Sequence, residues 1–269
     1  MASQAATLKR PSRGKPGIRR KLIWAAVAIG IGALYWHAWN DIGGSITDLF
    51  SSIGNLWDLI RRSTPPNTAI FHESVNASIT TLDTALIGTT IGLVLSLLIT
   101  PFAARNLSPH RLVYEAARVV IAFTRTIPSF IFALYMVVVV GLGPYPVALA
   151  LAIHSVGTLG KLFAETIEDM DMGPVNALRA AGASRMQVFL HAVLPGVAPS
   201  FVSLSLYRFD VNVRDSLAAG FVGGAGIGFL LFNSIQLFQY KDAAMELTVM
   251  LVLLLAVERI STLLRARIV

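Results

Sequence analysis

Four ionisable side chains, Arg125, Lys161, Arg208 and Asp210, stand in or beside long apolar runs. A charge held at membrane depth costs at least about 2.5 kcal/mol when unpaired, so such residues face either a partner or a water-filled path. Arg208 and Asn212 are one helical turn apart, as are Asp210 and Arg214, and His154 and Lys161 lie two turns apart on one face. Cations in a row suit an anion, because a guanidinium grips phosphoryl-type oxygens in a fork. Asp210 points about 200° away from Arg208 around a helix, which predicts a free cationic face at Arg208. Arg125, His154, Lys161, Arg208, Asn212 and Arg214 are therefore candidates to line an anion's path. The competing reading is that Asp210 or Glu165 neutralises these cations inside a helix bundle.

Self-contained catalysis finds little support. The stretch SVGTLGKL at 155–162 lacks the first glycine and final Ser/Thr of a phosphate-binding loop and lies inside an apolar helix rather than after a strand. GGAGIG at 223–228 does not fit G-x-G-x-x-G and reads as a flexible break between two spans. His72-Glu73 has no second histidine four residues on, the five histidines are scattered, and cysteine is absent, which excludes a disulfide framework and a cysteine metal site. No catalytic residue, bound metal or cofactor is expected on this chain.

The elements that must position the charges follow from composition. The 269 residues are 55% hydrophobic and 14% charged, with a mean hydropathy of +0.66, far from the soluble balance of about a quarter charged. Runs of roughly 20 apolar residues, each able to cross ~30 Å of hydrocarbon, predict an all-α membrane protein with about six transmembrane helices. They cover Leu22–Trp39, Val75–Ala104, Leu112–Val140, Tyr145–Ile167, Leu190–Val213 and Ala243–Leu264.

The net charge of +7 does not point to nucleic acid, since the basic residues gather at membrane edges. A basic tail over 1–21 (Lys9, Arg10, Arg13, Lys15, Arg19, Arg20, Lys21) precedes the first span at 22–39, read as a retained anchor with a cytoplasmic N-terminus. Arg105, Arg111, Arg179, Arg185, Arg265 and Arg267 then fall on that same side, which places both termini inside. Segment 40–74 carries Ile42, Ile46, Leu49, Phe50, Ile53, Leu56, Trp57 and Ile60 at helical spacing, as a helix lying on the outer lipid surface would. Residues 75–265 form the core, with a polar loop over 169–189.

That loop, NALRAAGASRMQVFLHAVLP at 176–195, resembles the cytoplasmic loop of bacterial ABC importer permeases, whose pattern is E-A-A, three residues, glycine, nine residues, I-x-L-P. Ala177, Leu178, Gly182, Leu194 and Pro195 fall in register, while Asn176 and Ala192 replace the usual glutamate and isoleucine. Asparagine at 176 keeps the ability to cap a helix without the charge. Further stretches, RTIPSFIFAL at 125–134, the run from GLGPYP to AAGAS at 141–184, and LYRFDVNVR at 206–214, resemble the phosphonate-importer permease family over roughly residues 70–265.

The resemblance implies a type I importer permease fold and a coupling helix whose candidate contacts are Asn176, Ala177, Leu178, Arg179, Ala181, Gly182, Arg185, Leu194 and Pro195. It implies a second copy of this chain, two ATPase subunits carrying ATP and Mg, an extracytoplasmic substrate-binding protein, and the bacterial cytoplasmic membrane as location. Phosphite, phosphate or an amino acid are alternative cargoes. An ATP-independent channel or secondary transporter is the alternative class.

Overall fold

The computed structural model describes residues 18–43 and 46–267. Lys9, Arg10, Arg13 and Lys15 of the basic tail lie outside the described residues. The chain divides into two units, one up to Leu59 and one from Ile60 onward. No strand occurs among the described residues.

In the first unit α1 spans Ile18–Ile42 as one long apolar helix with no buried residue. The single amphipathic helix expected over Ile42–Ile60 is instead two, α2 (Ile46–Ser51) and α3 (Ile53–Ser63, its last turn crossing into the second unit). They part at Ser52, where Ser51, Ser52 and Gly54 bring weak helix propensity together.

The second unit comprises α4 (Phe71–Ala103), α5 (Arg111–Thr126), α6 (Ser129–Val140), α7 (Pro144–Asp169), α8 (Gly173–Ala180), α9 (Arg185–Val188), α10 (Leu194–Gly223), α11 (Gly226–Gln236) and α12 (Tyr240–Arg265). Five helical segments among the described residues are long and apolar enough to span a membrane, and the α5–α6 pair makes a sixth, broken one. The centre is α7, half of whose 26 residues are buried, against α4, α5, α6 and α10.

The packing follows from residue size. Every buried residue of α4 is small: Ser, Thr, Ala or Gly. Lipid chains are as apolar as leucine, so helices in a bilayer gain little by hiding large apolar groups and much by close backbone approach. Gly92 shows how close: a Cβ there would lie 2.5 Å from Ser155 Cβ and 3.0 Å from the Ala152 carbonyl. The buried hydroxyls of Ser78, Thr89, Ser96 and Thr100 each donate to the carbonyl four residues earlier, so burial leaves no hydroxyl proton unmet. One end of the bundle adds an ordinary apolar core, in which Phe163 and Phe201 stack at 4.0 Å between centroids.

Two spans differ from the sequence reading. Leu112–Val140 is not one helix: α5 and α6 meet at a 90° bend. Proline at 128 donates no hydrogen bond and pushes Ile127 out of the helical region, to ψ 123°. The span expected to stop at Val213 runs on to Gly223. Arg214 looked like its end, yet its charge is met by Asp210 at 3.0 Å and Glu258 at 3.6 Å, so the helix continues past it. GGAGIG is a break, as expected, with Gly224 in the left-handed conformation, but it opens a further short helix, α11, which the sequence reading lacked.

Candidate functional site

Within the bundle, α4, α7 and α10 each contribute to one polar cluster. Arg208 and Asn212, one turn apart on α10, both reach Ser155 of α7: Arg208 Nε donates to Ser155 Oγ at 2.9 Å, and Asn212 Nδ2 donates to the same oxygen at 2.9 Å. The second Asn212 proton goes to Thr89 Oγ1 on α4 at 2.7 Å. Arg208 is 3% exposed and Asn212 is fully buried. Arg208 Nη2 and Asn212 Oδ1 have no hydrogen-bond partner among the described residues.

The free cationic face expected at Arg208 is corrected here. Asp210 indeed turns away and binds Arg214, but Asp215, two turns beyond Arg208, places Oδ2 at 3.7 Å from its guanidinium. Neither Glu165 nor Asp210 is the counter-ion, since Glu165 pairs with Lys161 at 3.3 Å. The sequence reading missed Thr89, Ser155 and Asp215. The spacing of seven between Arg208 and Asp215 was a visible signal for the last; nothing in the sequence singled out the two hydroxyls.

The other path candidates are distributed. His154 Nδ1 lies 3.0 Å from the Ile127 carbonyl, tying α7 to the break in the α5–α6 span. Arg125 is exposed in the last turn of α5, two residues before the non-helical pair Ile127–Pro128. Lys161 and Arg214 are each held by a carboxylate one turn away. The structure thus brings Arg208 and Asn212 together, with His154 within electrostatic reach of Arg208 and Asp215, and gives Arg125, Lys161 and Arg214 separate surroundings.

The polar loop forms where α7 ends and α10 begins. Asp171 accepts from the Gly173 N–H at 2.9 Å, and Pro174 occupies the first turn of α8. Asn176 lies inside α8 with its N–H bonded to the Met172 carbonyl, so it is a helix-body residue and not a cap. Val175 is buried and Leu178 packs on the core, whereas Asn176, Ala177, Arg179, Ala181 and Gly182 are exposed. Gly182, at φ +81°, makes the bend. The next helix starts with a reciprocal cap: Ser184 N–H donates to Gln187 Oε1 at 2.8 Å, and Gln187 N–H to Ser184 Oγ at 3.4 Å. Arg185 opens α9.

A π-helical turn over Phe189–Val193 joins α9 to Leu194 and Pro195 at the head of α10. Beside the loop a concavity of about 760 Å³ is lined by residues including Asn106, Leu107, Arg179, Met186 and Phe189. Nearby in the chain, Glu168 accepts from Arg118 at 2.8 Å and from the Arg105 N–H at 2.7 Å.

With an all-helical bundle, a broken span, a small-residue core and a helix–bend–helix loop among its described residues, the chain has the fold of type I ABC importer permeases. The fold agrees with that of a chain of the MetNI methionine ABC transporter solved in an inward-facing conformation (TM-score 0.65, 18% identity, 76% of this chain and 99% of that one). Residues 70–269 match the family model described as the binding-protein-dependent transport system inner membrane component, and the chain belongs to that family.

The phosphite transport system permease protein PtxC of Stutzerimonas stutzeri is 41% identical over 239 residues, 89% of this chain and 87% of that protein. The phosphate-import permease protein PhnE of Mycolicibacterium smegmatis is 40% identical over 224 residues, 83% of this chain but 41% of that longer protein. The chain is accordingly the permease component of an ABC importer in the inner membrane, working with ATPase and substrate-binding partners. That membership sets aside an ATP-independent channel or secondary transporter.

Proposed function

We propose that this permease forms a homodimer that passes phosphonate-type oxyanions, with phosphite and phosphate as alternative cargoes of the same phosphorus-oxyanion chemistry, from an extracytoplasmic binding protein into the cytoplasm. The observation that carries the cargo class is Arg208, a guanidinium buried in the bundle with a terminal nitrogen left without a hydrogen bond; the names of the two relatives point the same way. One coupling loop per chain and two ATPases per importer argue for two copies. The loop from α8 to α9, with Gly182 as its bend, docks on the ATPase and stands in the cytoplasm, as do both termini. ATP and Mg belong to the ATPase, and this chain does no hydrolysis and binds no cofactor.

Small exposed residues on the loop, Ala177, Ala181 and Gly182, allow close backbone approach, with Arg179 supplying charge at the rim. Proteoliposomes holding the permease, its ATPase and its binding protein test the reading. ATP-dependent accumulation of labelled phosphite, phosphate or methylphosphonate is expected, with none of methionine. Methionine uptake without oxyanion uptake would replace the cargo assignment.

A further inference from the structure

The contact between Arg208 and Asp215 is an unusual ion pair. At 3.7 Å it is too long for a charge-assisted hydrogen bond, which runs about 2.7–2.9 Å, and Arg208 Nη2 makes no other. The partners also differ in access: the Arg208 side chain is 4% exposed and that of Asp215 is 30%. A partly solvated carboxylate therefore compensates a buried cation without saturating it.

Ser155 Oγ accepts from both Arg208 and Asn212, which engages its two lone pairs and leaves its own O–H as a donor. Asn212 Oδ1, an acceptor, is unmet because both amide protons are already given to Ser155 and Thr89. Arg208 Nη2 and the Ser155 O–H are thus donors, and Asn212 Oδ1 an acceptor, on three side chains joined through the one Ser155 hydroxyl.

We propose that Arg208, Ser155 and Asn212 form an intramembrane station for a monoprotonated phosphorus oxyanion, and that Asp215 is the exchangeable counter-ion the anion displaces in transit. The inference rests on the oxyanion reading of the function and assigns its site. A monoprotonated phosphorus oxyanion offers negative oxygens to Nη2 and to the Ser155 O–H, and an O–H to Asn212 Oδ1. Sulfate has no proton to give and would leave Oδ1 buried and unpaired, the kind of mismatch by which a polar site rejects an analogue. When the station is empty, Asp215 swings in and keeps the guanidinium compensated inside the bilayer.

The test is a charge rescue on the permease–ATPase complex in nanodiscs, without the binding protein. Asp215→Ala removes the built-in counter-ion, so the complex should melt lower than wild type. Phosphite in excess should raise its melting temperature by about 3 °C or more, while sulfate at equal ionic strength should not. If Asp215→Ala yields no complex, the same variant solubilised in phosphite should yield it, and failure under both conditions overturns the proposal.

The double variant Arg208→Gln/Asp215→Ala should lose the response to phosphite. A response that persists, or one equal for phosphite and sulfate, or none in the single variant, overturns the proposal as well; the last would mean that water fills the station. Wild-type uptake separates the two levels: oxyanion import without rescue removes the station alone, whereas absence of oxyanion import removes the cargo assignment beneath it.

Discussion

The α4–α7–α10 bundle and the loop from α8 to α9 are built from the same small residues put to opposite ends. In the bundle, glycine, alanine and serine bring backbones together within the chain itself, and Gly92 has no room for a Cβ. In the loop, Ala177, Ala181 and Gly182 lie exposed, and a Cβ on Gly182 would meet nothing within 4 Å. Smallness satisfied internally is a folding device. Smallness left open, on a loop whose Val175 and Leu178 are anchored in the core, is a surface shaped for another molecule.

The same substitution in the two regions gives the sharpest contrast. Gly92→Leu drives a side chain into Ser155 and the Ala152 carbonyl, where backbone on α7 cannot yield cheaply. Overpacking costs typically about 1–3 kcal/mol and more where backbone must move. The expected result is loss of monodisperse protein on size-exclusion chromatography in detergent. A folded, normally melting Gly92→Leu protein would show that α4 and α7 are not packed as described.

Gly182→Leu should spare the fold and cost function. The strain is confined to a backbone held at φ +81°, worth roughly 1–2 kcal/mol for a residue with a Cβ. That predicts a melting temperature lower by a few degrees at most. ATP-driven uptake should fall at least about tenfold, because a rebuilt bend moves the docking face. Unchanged uptake with the ATPase bound would remove the coupling role from this loop.

The two regions were unequally legible in the sequence. Most span positions, the loop and its glycine bend could be read because long apolar runs and left-handed bends leave marks in a single stretch of chain. The tertiary pairings were harder. Ser155 and Thr89 are ordinary hydroxyls on apolar helices, and their role exists only because α4, α7 and α10 meet. Arg208 was visible as a charge out of place, yet Asp210 and Glu165 were the counter-ions expected for it, and not Asp215, the seventh residue along the same face. Hydropathy also hid the break at Pro128: it registers Leu112–Val140 as continuous grease, and the 90° bend follows from a donor that proline lacks.

The finest test of the contrast is one interhelical hydrogen bond. Thr89 Oγ1 donates to the Ala85 carbonyl at 2.6 Å and accepts from Asn212 Nδ2 at 2.7 Å, so Thr89→Val, equal in shape, deletes one helix-to-helix bond and leaves one buried amide proton unmet. Such bonds in membrane bundles are worth about 0.6 kcal/mol on average and at most about 1.7. For a core of this size that is roughly a 1–6 °C fall in melting temperature. Ser155 still holds Asn212 through its other proton, so the bundle should stay assembled. A fall like that of Gly92→Leu would mean that the polar cluster, and not close packing, organises the bundle; no fall would mean that Asn212 finds another acceptor once Thr89 is gone.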